Sequence, residues 1–494
     1  MADNSSYKNI FKTTFLFGFV QIFDILVKVG TNKIIAILLG AEGLGVISIF
    51  NSATGLIKTA CGMGINKSAV KDISEAQHCN DVSRVERVIS LTNNVIVYTS
   101  LLGLIVTFSL APFLSEWCFG SSDYTLAFIF LSLFVAMGIF SDGQLGILTG
   151  IRRLKDLAKA SMVGAIAGLL SAIPFYFCLG MKGIVPSLIS TAFVTLVISV
   201  YFVKRLHYKK IKLKFLETWK EAKPMTQMGV SLMFVSFVSF LFDLLVSAYI
   251  RKEGGLDDVG FYQAGATIIT SYFGIVLTAM TTDYYPRISA INSNNNLVES
   301  ELNKQAETGL VLIFPIAVLF GLLSPLIYNF LYSDRFCISV DYTDYAIFGT
   351  IIIVVSNCMG MVLLAKQVPK IFVTTVILQR VVLIVVYLVL YKIAGLKGLG
   401  LAYLFSGLLH LFIMTAILKW KYDIRLKKKS YIGLLFISLF VLLSIIIRKS
   451  DLEFYYVVIL GVALFVLSIL FTNEYMKRVM GLNIIRVVSN KLRK

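Results

Sequence analysis

The chain has 494 residues, of which 57% are hydrophobic and 15% are charged, and its mean hydropathy is +0.82. A soluble globular protein carries about 25% charged residues, so this composition excludes that class and indicates a membrane protein. The formal net charge of +18 would suit a nucleic-acid partner, but most of the 46 Lys and Arg residues lie in alternate loops between apolar runs. That arrangement follows the positive-inside rule, so the basic charge indicates membrane topology and no nucleic acid is expected.

The chain divides into about fourteen apolar runs of roughly twenty residues. Their centres lie near residues 22, 55, 100, 135, 169, 193, 238, 273, 319, 355, 381, 408, 439 and 463. With the first loop outside, the cytoplasmic loops carry most of the basic residues, and both termini are predicted to be cytoplasmic. We expect an all-α integral membrane protein with about fourteen transmembrane helices.

The first predicted span and its continuation, Gln21 to Asn51, carry three charges at depths where charge is costly: Asp24, Lys28 and Lys33. A charge at the bilayer centre costs roughly 2.5–3.5 kcal/mol or more, so such residues usually face partners or a water-filled cavity. Asp24 and Lys28 are four residues apart and share a helix face, so Lys28 either lines a cavity or pairs with Asp24. Lys33 either lines the same cavity or extends to the exterior surface.

The next elements in the chain are more mixed in polarity. Span 2 carries Lys58, and a polar cytoplasmic loop is expected from Asn66 to Arg87 before span 3. Span 4 carries Asp142 near its inner end. After span 6, the basic stretch Lys204 to Lys223 alternates with aromatic residues, which predicts a connector lying on the anionic cytoplasmic leaflet.

Spans 7 and 8 repeat the beginning of the chain. Sliding the sequence onto itself lays Ala41–Gly45 on Leu256–Gly260, and it lays Lys28 on Asp243. Weak internal similarity between halves is typical of transporters built from repeats. Six spans separate the copies, so the repeats are expected to be parallel, with an axis along the membrane normal and with Lys28 and Asp243 opposite each other across a cleft.

Span 11 carries Arg380, which has no acidic neighbour within one helical turn. An unpaired Arg in an apolar span suits a phosphate group, which its planar guanidinium can bind with two hydrogen bonds. Lys58 is a second site of this kind. The alternative for both is pairing with an acidic residue of another helix: Asp142, Asp243 or Asp283.

No catalytic residues and no metal site are predicted, because clustered carboxylates, a His pair and a nucleophile with its base are all missing from the loops. The protein is therefore not expected to be an enzyme. His410 lies alone in span 12, where a packed polar residue is favoured over a proton relay.

Spans 13 and 14 contain no charge and are predicted to be peripheral, and the C-terminal tail has the pattern of a basic amphipathic helix. The predicted domains are an N-lobe at 1–203, a basic connector at 204–225, a C-lobe at 226–421, the peripheral spans at 422–472 and the tail at 473–494.

Two stretches carry a resemblance to a known family. Val27–Asn51, followed by Gly64–Glu75, resembles the start of Wzx-type O-antigen and lipid III flippases, the polysaccharide-transport branch of the MATE-like superfamily. Asp257–Ala264, running on to Asp283–Arg287, resembles the seventh-to-eighth-span segment of that family.

The resemblance implies two pseudo-symmetric six-helix lobes that form a V around a cationic central cavity, to which spans 13 and 14 are additions. It implies a substrate made of an oligosaccharide linked to undecaprenyl pyrophosphate, moved from the cytoplasmic to the periplasmic leaflet. The basic residue that the family carries before its LG-x-x-GLG turn corresponds to Lys33.

The sequence therefore predicts an inner-membrane flippase that works by ion-coupled alternating access. The residues expected to attract the substrate are Lys28, Lys33, Lys58 and Arg380. The residues expected to relay the coupling ion, H⁺ or Na⁺, are Asp24, Asp142 and Asp243. No other cofactor is expected, and the expected partners are the lipid-linked oligosaccharide, membrane lipids and other glycan-assembly membrane proteins. The alternatives are a MATE-type drug/cation antiporter, which would prefer an acidic cavity, and a non-transporting scaffold, in which the buried charges would be dispensable.

Overall fold

The computed structural model describes residues 2–78, 81–206 and 208–480, and within them the chain is helical without a β-strand. The helices are α1 (Ala2–Leu38), α2 (Gly40–Gly62), α3 (Ile65–His78), α4 (Val82–Phe119), α5 (Thr125–Gly150), α6 (Leu154–Leu179), α7 (Ile184–Lys204), α8 (Phe215–Thr267), α9 (Gly274–Ala290), α10 (Asn295–Leu331), α11 (Val340–Ala365), α12 (Pro369–Tyr422), α13 (Lys428–Lys449) and α14 (Phe454–Met480). The predicted all-α class is confirmed. The basic tail prediction for 473–494 falls on the end of α14 and, from residue 481, outside the described residues.

Ten segments of the described chain are long and apolar enough to cross a membrane, so the protein is a multi-pass membrane protein. Three of them, Leu154–Lys204, Phe215–Thr278 and Lys370–Tyr422, are more than twice the roughly twenty residues of one crossing. Each of these three contains a backbone break, at Gly180, Gly255 and Gly395 respectively. Thirteen of the fourteen predicted span centres fall on the helices, and the remaining one, residue 273, lies directly before α9. The count of fourteen transmembrane helices stays a prediction.

The helices repeat along the chain with the shift that the sequence shows. The shift that carries residue 40 onto residue 255 carries α5, Thr125–Gly150, onto α11, Val340–Ala365. It also carries α6, Leu154–Leu179, onto the first arm of α12, which begins at Pro369 and breaks at Gly395. The two halves therefore share helix boundaries even where their sequences differ.

The unusual backbone positions repeat as well. Residues with positive φ recur in pairs under this shift: Gly40 (70°) with Gly255 (89°), Arg152 (59°) with Gln367 (57°), and Gly180 (54°) with Gly395 (56°). Gly180 and Gly395 also share ψ, at −130° and −136°, a combination that only glycine adopts without strain. Three turns are thus conserved between the halves, although the arrangement of the predicted lobes stays a prediction.

The chain forms two compact units, Met1–Gly260 and Phe261–Lys494. The first arm of α8, residues 215–254 before the break at Gly255, therefore packs within the first unit, where Ala222 and Met225 belong to the same apolar core as α3, α4, α5 and α7. A Cβ on Gly64 would overlap the carbonyl oxygen of Gly229 on this arm, and a Cβ on Gly45 would overlap that of Leu256, just after the break. The predicted domain boundaries are not the same as these units and stay a prediction.

The predicted polar loop from Asn66 to Arg87 is in large part helical, which corrects that expectation. Helix α3 begins at Ile65, and its apolar residues Ile65, Ala69, Ile73 and Ala76 are buried. Their spacing of three or four residues gives the helix one apolar face, which packs against α4 and α5. This amphipathic helix was not predicted from the sequence because the stretch is polar overall.

Helix α13 is fixed to the second unit by a buried ion pair. Arg448 Nη2 lies 2.6 Å from Asp344 Oδ2 on α11, and Lys449 Nζ lies 2.7 Å from the same oxygen. Arg448 also donates hydrogen bonds to the Gly321 carbonyl and to Ser324 Oγ on α10. The side chain of Asp344 is only 4% exposed, so this pair holds α13 against its neighbours.

Candidate functional site

The charges predicted on the first helix lie on α1 at different depths. Asp24 and Lys33 are half-buried, and Lys28 is exposed. Lys28 lies one helical turn from Asp24 and interacts with its carboxylate electrostatically. This proximity is compatible with the local pairing that the sequence gave as an alternative for Lys28, and both that pairing and a role in substrate binding stay predictions for these residues.

Two further predicted residues lie on long helices. Asp243 is exposed on the first arm of α8, in the first unit. Arg380 is half-buried on α12, in the second unit, within electrostatic reach of Tyr387 and Tyr403. Both residues interact with neighbours, so neither is an isolated charge.

The structure brings Lys58 and Asp142 together. Lys58 Nζ on α2 lies 2.9 Å from Asp142 Oδ2 on α5, and the two side chains are 30% and 43% exposed. The expectation of an unpaired cation at Lys58 is therefore corrected in favour of its alternative, an ion pair with Asp142. Because both side chains remain partly accessible, the pair can open without burying a lone charge.

This ion pair lines a cavity of about 200 Å³ in the first unit. Five helices contribute to its wall: α2, α3, α4, α5 and the first arm of α8. The lining residues are Gly55, Lys58, Thr59, Gly62, Gly64, Ile65, Asn66, Lys67, Ile96, Thr99, Ile139, Asp142, Gly143, Met233, Ser236 and Phe240. Among the described residues that form this wall, Asp142 is the single acid, and Lys58 and Lys67 are the bases.

A missing side chain on α5 makes room for the ion pair. Gly138 lies one turn before Asp142, and a Cβ on Gly138 would be 3.1 Å from Lys58 Nζ. Contacts of that length are tighter than almost all that real Cβ atoms make, so any larger residue would displace the ammonium group. Gly138 therefore lets the Lys58 side chain lie across α5 to reach Asp142.

A second cavity, of about 510 Å³, adjoins the first and shares Asn66, Lys67 and Asp142 with it. Lys67 is exposed and has no ion-pair partner among the residues of known placement. The sequence prediction assigned Lys67 to a solvated loop and did not include it in the site. The signal was present in Gly64–Glu75, the stretch that carries the family resemblance.

His410 is buried on α12, and its Nδ1 lies 2.8 Å from Ser356 Oγ on α11. A hydrogen bond between two buried side chains on neighbouring helices is what a packed polar residue makes. The structure thus favours the structural role for His410.

Comparisons with known proteins identify the transporter class. The lipid III flippase of Escherichia coli (strain K12) is 21% identical over 407 residues, which cover 80% of this chain and 96% of that protein. The structure resembles the lipid II flippase MurJ in its inward closed conformation, with a TM-score of 0.72, 16% identity and coverage of 95% of this chain and 99% of that one. It also resembles an inward-facing multidrug resistance MATE family transporter of the MOP superfamily, with a TM-score of 0.63, 15% identity and coverage of 88% and 100%.

These likenesses confirm the predicted resemblance to Wzx-type flippases. They also confirm the prediction that the protein belongs with transport proteins and not with enzymes. The two structural matches are below 25% identity and establish the fold. A sequence family described as "Polysaccharide biosynthesis protein" matches residues 34–341, more than half of the chain. The chain therefore belongs to this polysaccharide biosynthesis protein family.

Proposed function

We propose that this protein is a flippase that moves a lipid-linked oligosaccharide across the bacterial inner membrane, from the cytoplasmic to the periplasmic leaflet. The observation that supports this most directly is the cavity of the first unit, where Lys58 and Lys67 accompany a single carboxylate, Asp142. A pyrophosphate carries several negative charges, and a site with an excess of cations attracts it.

The substrate class in this proposal is an undecaprenyl-pyrophosphate-linked repeat unit of the O-antigen type. Two relatives support that class: one is named a lipid III flippase and the other a lipid II flippase. Family membership in polysaccharide biosynthesis agrees with it. The positive-inside pattern places both termini in the cytoplasm in this proposal, and other glycan-assembly membrane proteins would supply and receive the substrate.

Lys58 and Asp142 suggest how substrate and ion are coupled. The pyrophosphate would first meet Lys67, which is exposed where the two cavities join. Binding of H⁺ or Na⁺ to Asp142 neutralises its carboxylate and releases Lys58, whose ammonium then turns to the phosphate. Loss of the ion restores the 2.9 Å pair and expels the phosphate. In this cycle, the Asp142 carboxylate and the substrate phosphate thus alternate as the partner of the Lys58 ammonium group.

The remaining predicted residues belong to this proposal as secondary sites. Lys28, Lys33 and Arg380 would attract the pyrophosphate or acidic sugars, and Asp24 and Asp243 would contribute to ion coupling. Alternating access between the two sides of the membrane completes the mechanism.

The runner-up is a drug/cation antiporter, which the likeness to a MATE family transporter favours. An antiporter of cationic drugs requires an acidic cavity, because the drug must be stabilised by negative charge. The described wall of the first-unit cavity carries two bases and one acid, which argues for an anionic substrate.

A transport experiment distinguishes these functions. The purified full-length protein would be reconstituted into liposomes with an undecaprenyl-pyrophosphate-linked oligosaccharide, and a membrane-impermeant glycan probe would measure its appearance on the opposite leaflet. We expect translocation that depends on the protein. The charge reversals Lys28→Glu and Arg380→Glu should reduce its rate. The control Lys428→Glu, at an exposed position on α13, should leave the rate unchanged.

Different results would replace the proposal. Absence of glycan translocation together with proton-driven efflux of a cationic dye would establish the antiporter. Absence of both activities in a correctly folded protein would support the scaffold. Normal translocation in both charge-reversal variants would contradict the assignment of Lys28 and Arg380.

A further inference from the structure

A third cavity of the first unit, separate from the ion-pair site, is polar. It has a volume of about 650 Å³ and is enclosed by α4, α5, α7 and the connector between α7 and α8. Its lining residues are Ser90, Asn93, Asn94, Val97, Phe140, Gln144, Val200, Val203, Lys204, Tyr208, Lys210, Ile211, Lys212 and Leu213. None of these described residues lines the cavity that holds Lys58 and Asp142.

The floor of this cavity is a hydrogen-bonded polar network. Gln144 Nε2 donates to Asn93 Oδ1 at 2.7 Å, and Asn93 Nδ2 donates to Tyr208 Oη at 2.7 Å. Because Tyr208 Oη accepts this bond, its own proton is available for a ligand that accepts hydrogen bonds. Burial raises the pKa of Tyr208, so the hydroxyl group remains protonated and continues to act as a donor.

The rim of the cavity is cationic. Lys204, Lys210 and Lys212 are exposed, and none of their ammonium groups has a hydrogen-bond or ion-pair partner among the residues that the structure describes. The described lining contains no Asp or Glu. Three lysines and a tyrosine with a free phenol proton therefore line one concave site, a combination that suits a phosphate group.

One wall of the cavity is apolar. Val97, Phe140, Val200 and Leu213 line it beside the polar floor, and Val97 is 39% exposed. A free phosphate ion gains nothing from an apolar wall, whereas the glycerol and acyl carbons next to a phosphodiester do. The site therefore matches an amphiphile with an anionic head.

The connector that carries two of the lysines is held in place by α4. The Lys209 amide donates to Glu86 Oε1 at 2.9 Å, and the Ile211 amide donates to Ser90 Oγ at 3.0 Å. These bonds fix an irregular segment as the fourth wall of the cavity. The lysines are thus presented by an ordered backbone.

We propose that this cavity binds the headgroup of an anionic phospholipid of the leaflet on the basic side of the protein. The phosphodiester would lie between Lys204, Lys210 and Lys212, and the acyl carbons would lie along Val97 and Phe140. Basic pockets between transmembrane helices on the cytoplasmic side are suited to anionic headgroups, and this one would hold the α7–α8 connector to the membrane. The site is independent of the proposed transport activity.

Native mass spectrometry of the purified full-length protein tests this site. The protein would be titrated in detergent with short-chain phosphatidylglycerol, short-chain phosphatidylcholine and inorganic phosphate. We expect one saturable phosphatidylglycerol site, with phosphatidylcholine bound about tenfold or more weakly. Displacement of phosphatidylglycerol by millimolar inorganic phosphate would overturn the lipid assignment in favour of a free-anion site.

Matched variants separate the cavity from general surface charge. The triple variant Lys204→Gln, Lys210→Gln, Lys212→Gln should weaken phosphatidylglycerol binding about tenfold or more. The control changes the residues at the equivalent positions of the second half, Lys419→Gln, Arg425→Gln and Lys427→Gln, and should leave that binding unchanged. Equal weakening by both triple variants would contradict a site in this cavity.

A variant that keeps every charge provides the second test. Val97→Trp should fill the apolar part of the cavity and reduce phosphatidylglycerol binding to a similar extent. The thermal unfolding midpoint would verify that this variant is folded. Retention of normal binding by folded Val97→Trp would show diffuse attraction to surface lysines and would overturn the proposal.

Discussion

The cavity of the first unit has a counterpart in the second, and the two differ in chemistry. The repeat shift carries Gly62, Ile65, Ile139, Asp142 and Gly143 onto residues that line a cavity of the second unit: Leu277, Met280, Val354, Asn357 and Cys358. The first cavity has a volume of about 200 Å³, and the second has about 10 Å³. Duplicated helices thus enclose an open polar site in one half and a nearly filled one in the other.

The filling follows from individual substitutions. Phe273 stands where Lys58 stands in the first half, and it is buried against Phe320 with ring centroids 5.5 Å apart. Asn357 replaces Asp142 and removes the negative charge. The backbone framework is therefore common to both halves. At these two positions, only the first half carries charges that can act on a substrate.

The largest effect is expected when the first-half charges are placed in the second half. Phe273→Lys would bury a cation without its carboxylate and should lower the free energy of unfolding by roughly 3–5 kcal/mol. Adding Asn357→Asp should recover about 1–2 kcal/mol, because the two positions would face each other as Lys58 and Asp142 do. Thermal unfolding of the purified proteins measures both; equal instability of the single and double variants would contradict the equivalence.

Much of the fold could be predicted from the sequence, because the apolar runs and the repeat are local patterns. Thirteen of the fourteen predicted span centres fall on the helices, and the remaining one, residue 273, lies directly before α9. The shift read from Ala41–Gly45 also relates the turns at Gly180 and Gly395. The amphipathic helix α3 was missed, because its apolar face is spread over a polar stretch.

The site was predictable only in part. Lys58 and Asp142 were both identified as candidates. Their pairing depends on the packing of α2 against α5, however, and these two helices are far apart in the chain. Lys67 was missed because it follows the Gly64 turn, where the chain re-enters the cavity wall after an apparent span end. No local pattern indicates which of several acids on other helices a half-buried Lys contacts.

The second prediction concerns the first-half ion pair itself. Lys58→Glu would place two carboxylates where a 2.9 Å ion pair now lies and should reduce glycan translocation about tenfold. The exchange Lys58→Asp with Asp142→Lys restores opposite charges and should recover part of the rate. The liposome translocation assay measures this, with Asn357→Ala in the second half as the matched control expected to change the rate less than about twofold.

A third and smaller effect is expected at Gly138, which has Ile353 as its second-half counterpart. Gly138→Ala would press on Lys58 Nζ from 3.1 Å and shift it by a few tenths of an ångström, so translocation should fall by roughly two- to threefold. Ile353→Ala should leave the translocation rate unchanged, because Phe273 has no charge to position. An undiminished rate in Gly138→Ala would show that the exact position of the ammonium group is unimportant.

The smallest effect is expected for an ion pair at the surface of the same unit, which provides a reference for the pair in the cavity. Arg87 Nη2 on α4 lies 2.5 Å from Glu221 Oε1 on α8, and these side chains are 48% and 34% exposed. The hydrogen bond from Arg87 holds the pKa of Glu221 below its ordinary value of 4.5. The stabilising contribution of this ion pair is therefore fully present above the pKa of Glu221 in the unfolded chain. It is lost as the pH falls through the lower pKa of Glu221 in the folded protein.

Arg87→Gln should accordingly lower the unfolding midpoint by no more than about 2 °C at neutral pH, and the difference from the unmodified protein should vanish in strong acid. High salt should reduce the difference as well, because exposed charges are screened. Thermal unfolding at several pH values and salt concentrations provides the measurement. A large destabilisation that salt does not reduce would mean that Arg87 supports the packing of α8 within the first unit. Arg87 and Glu221 could then no longer serve as the surface reference for the Lys58–Asp142 pair in the cavity.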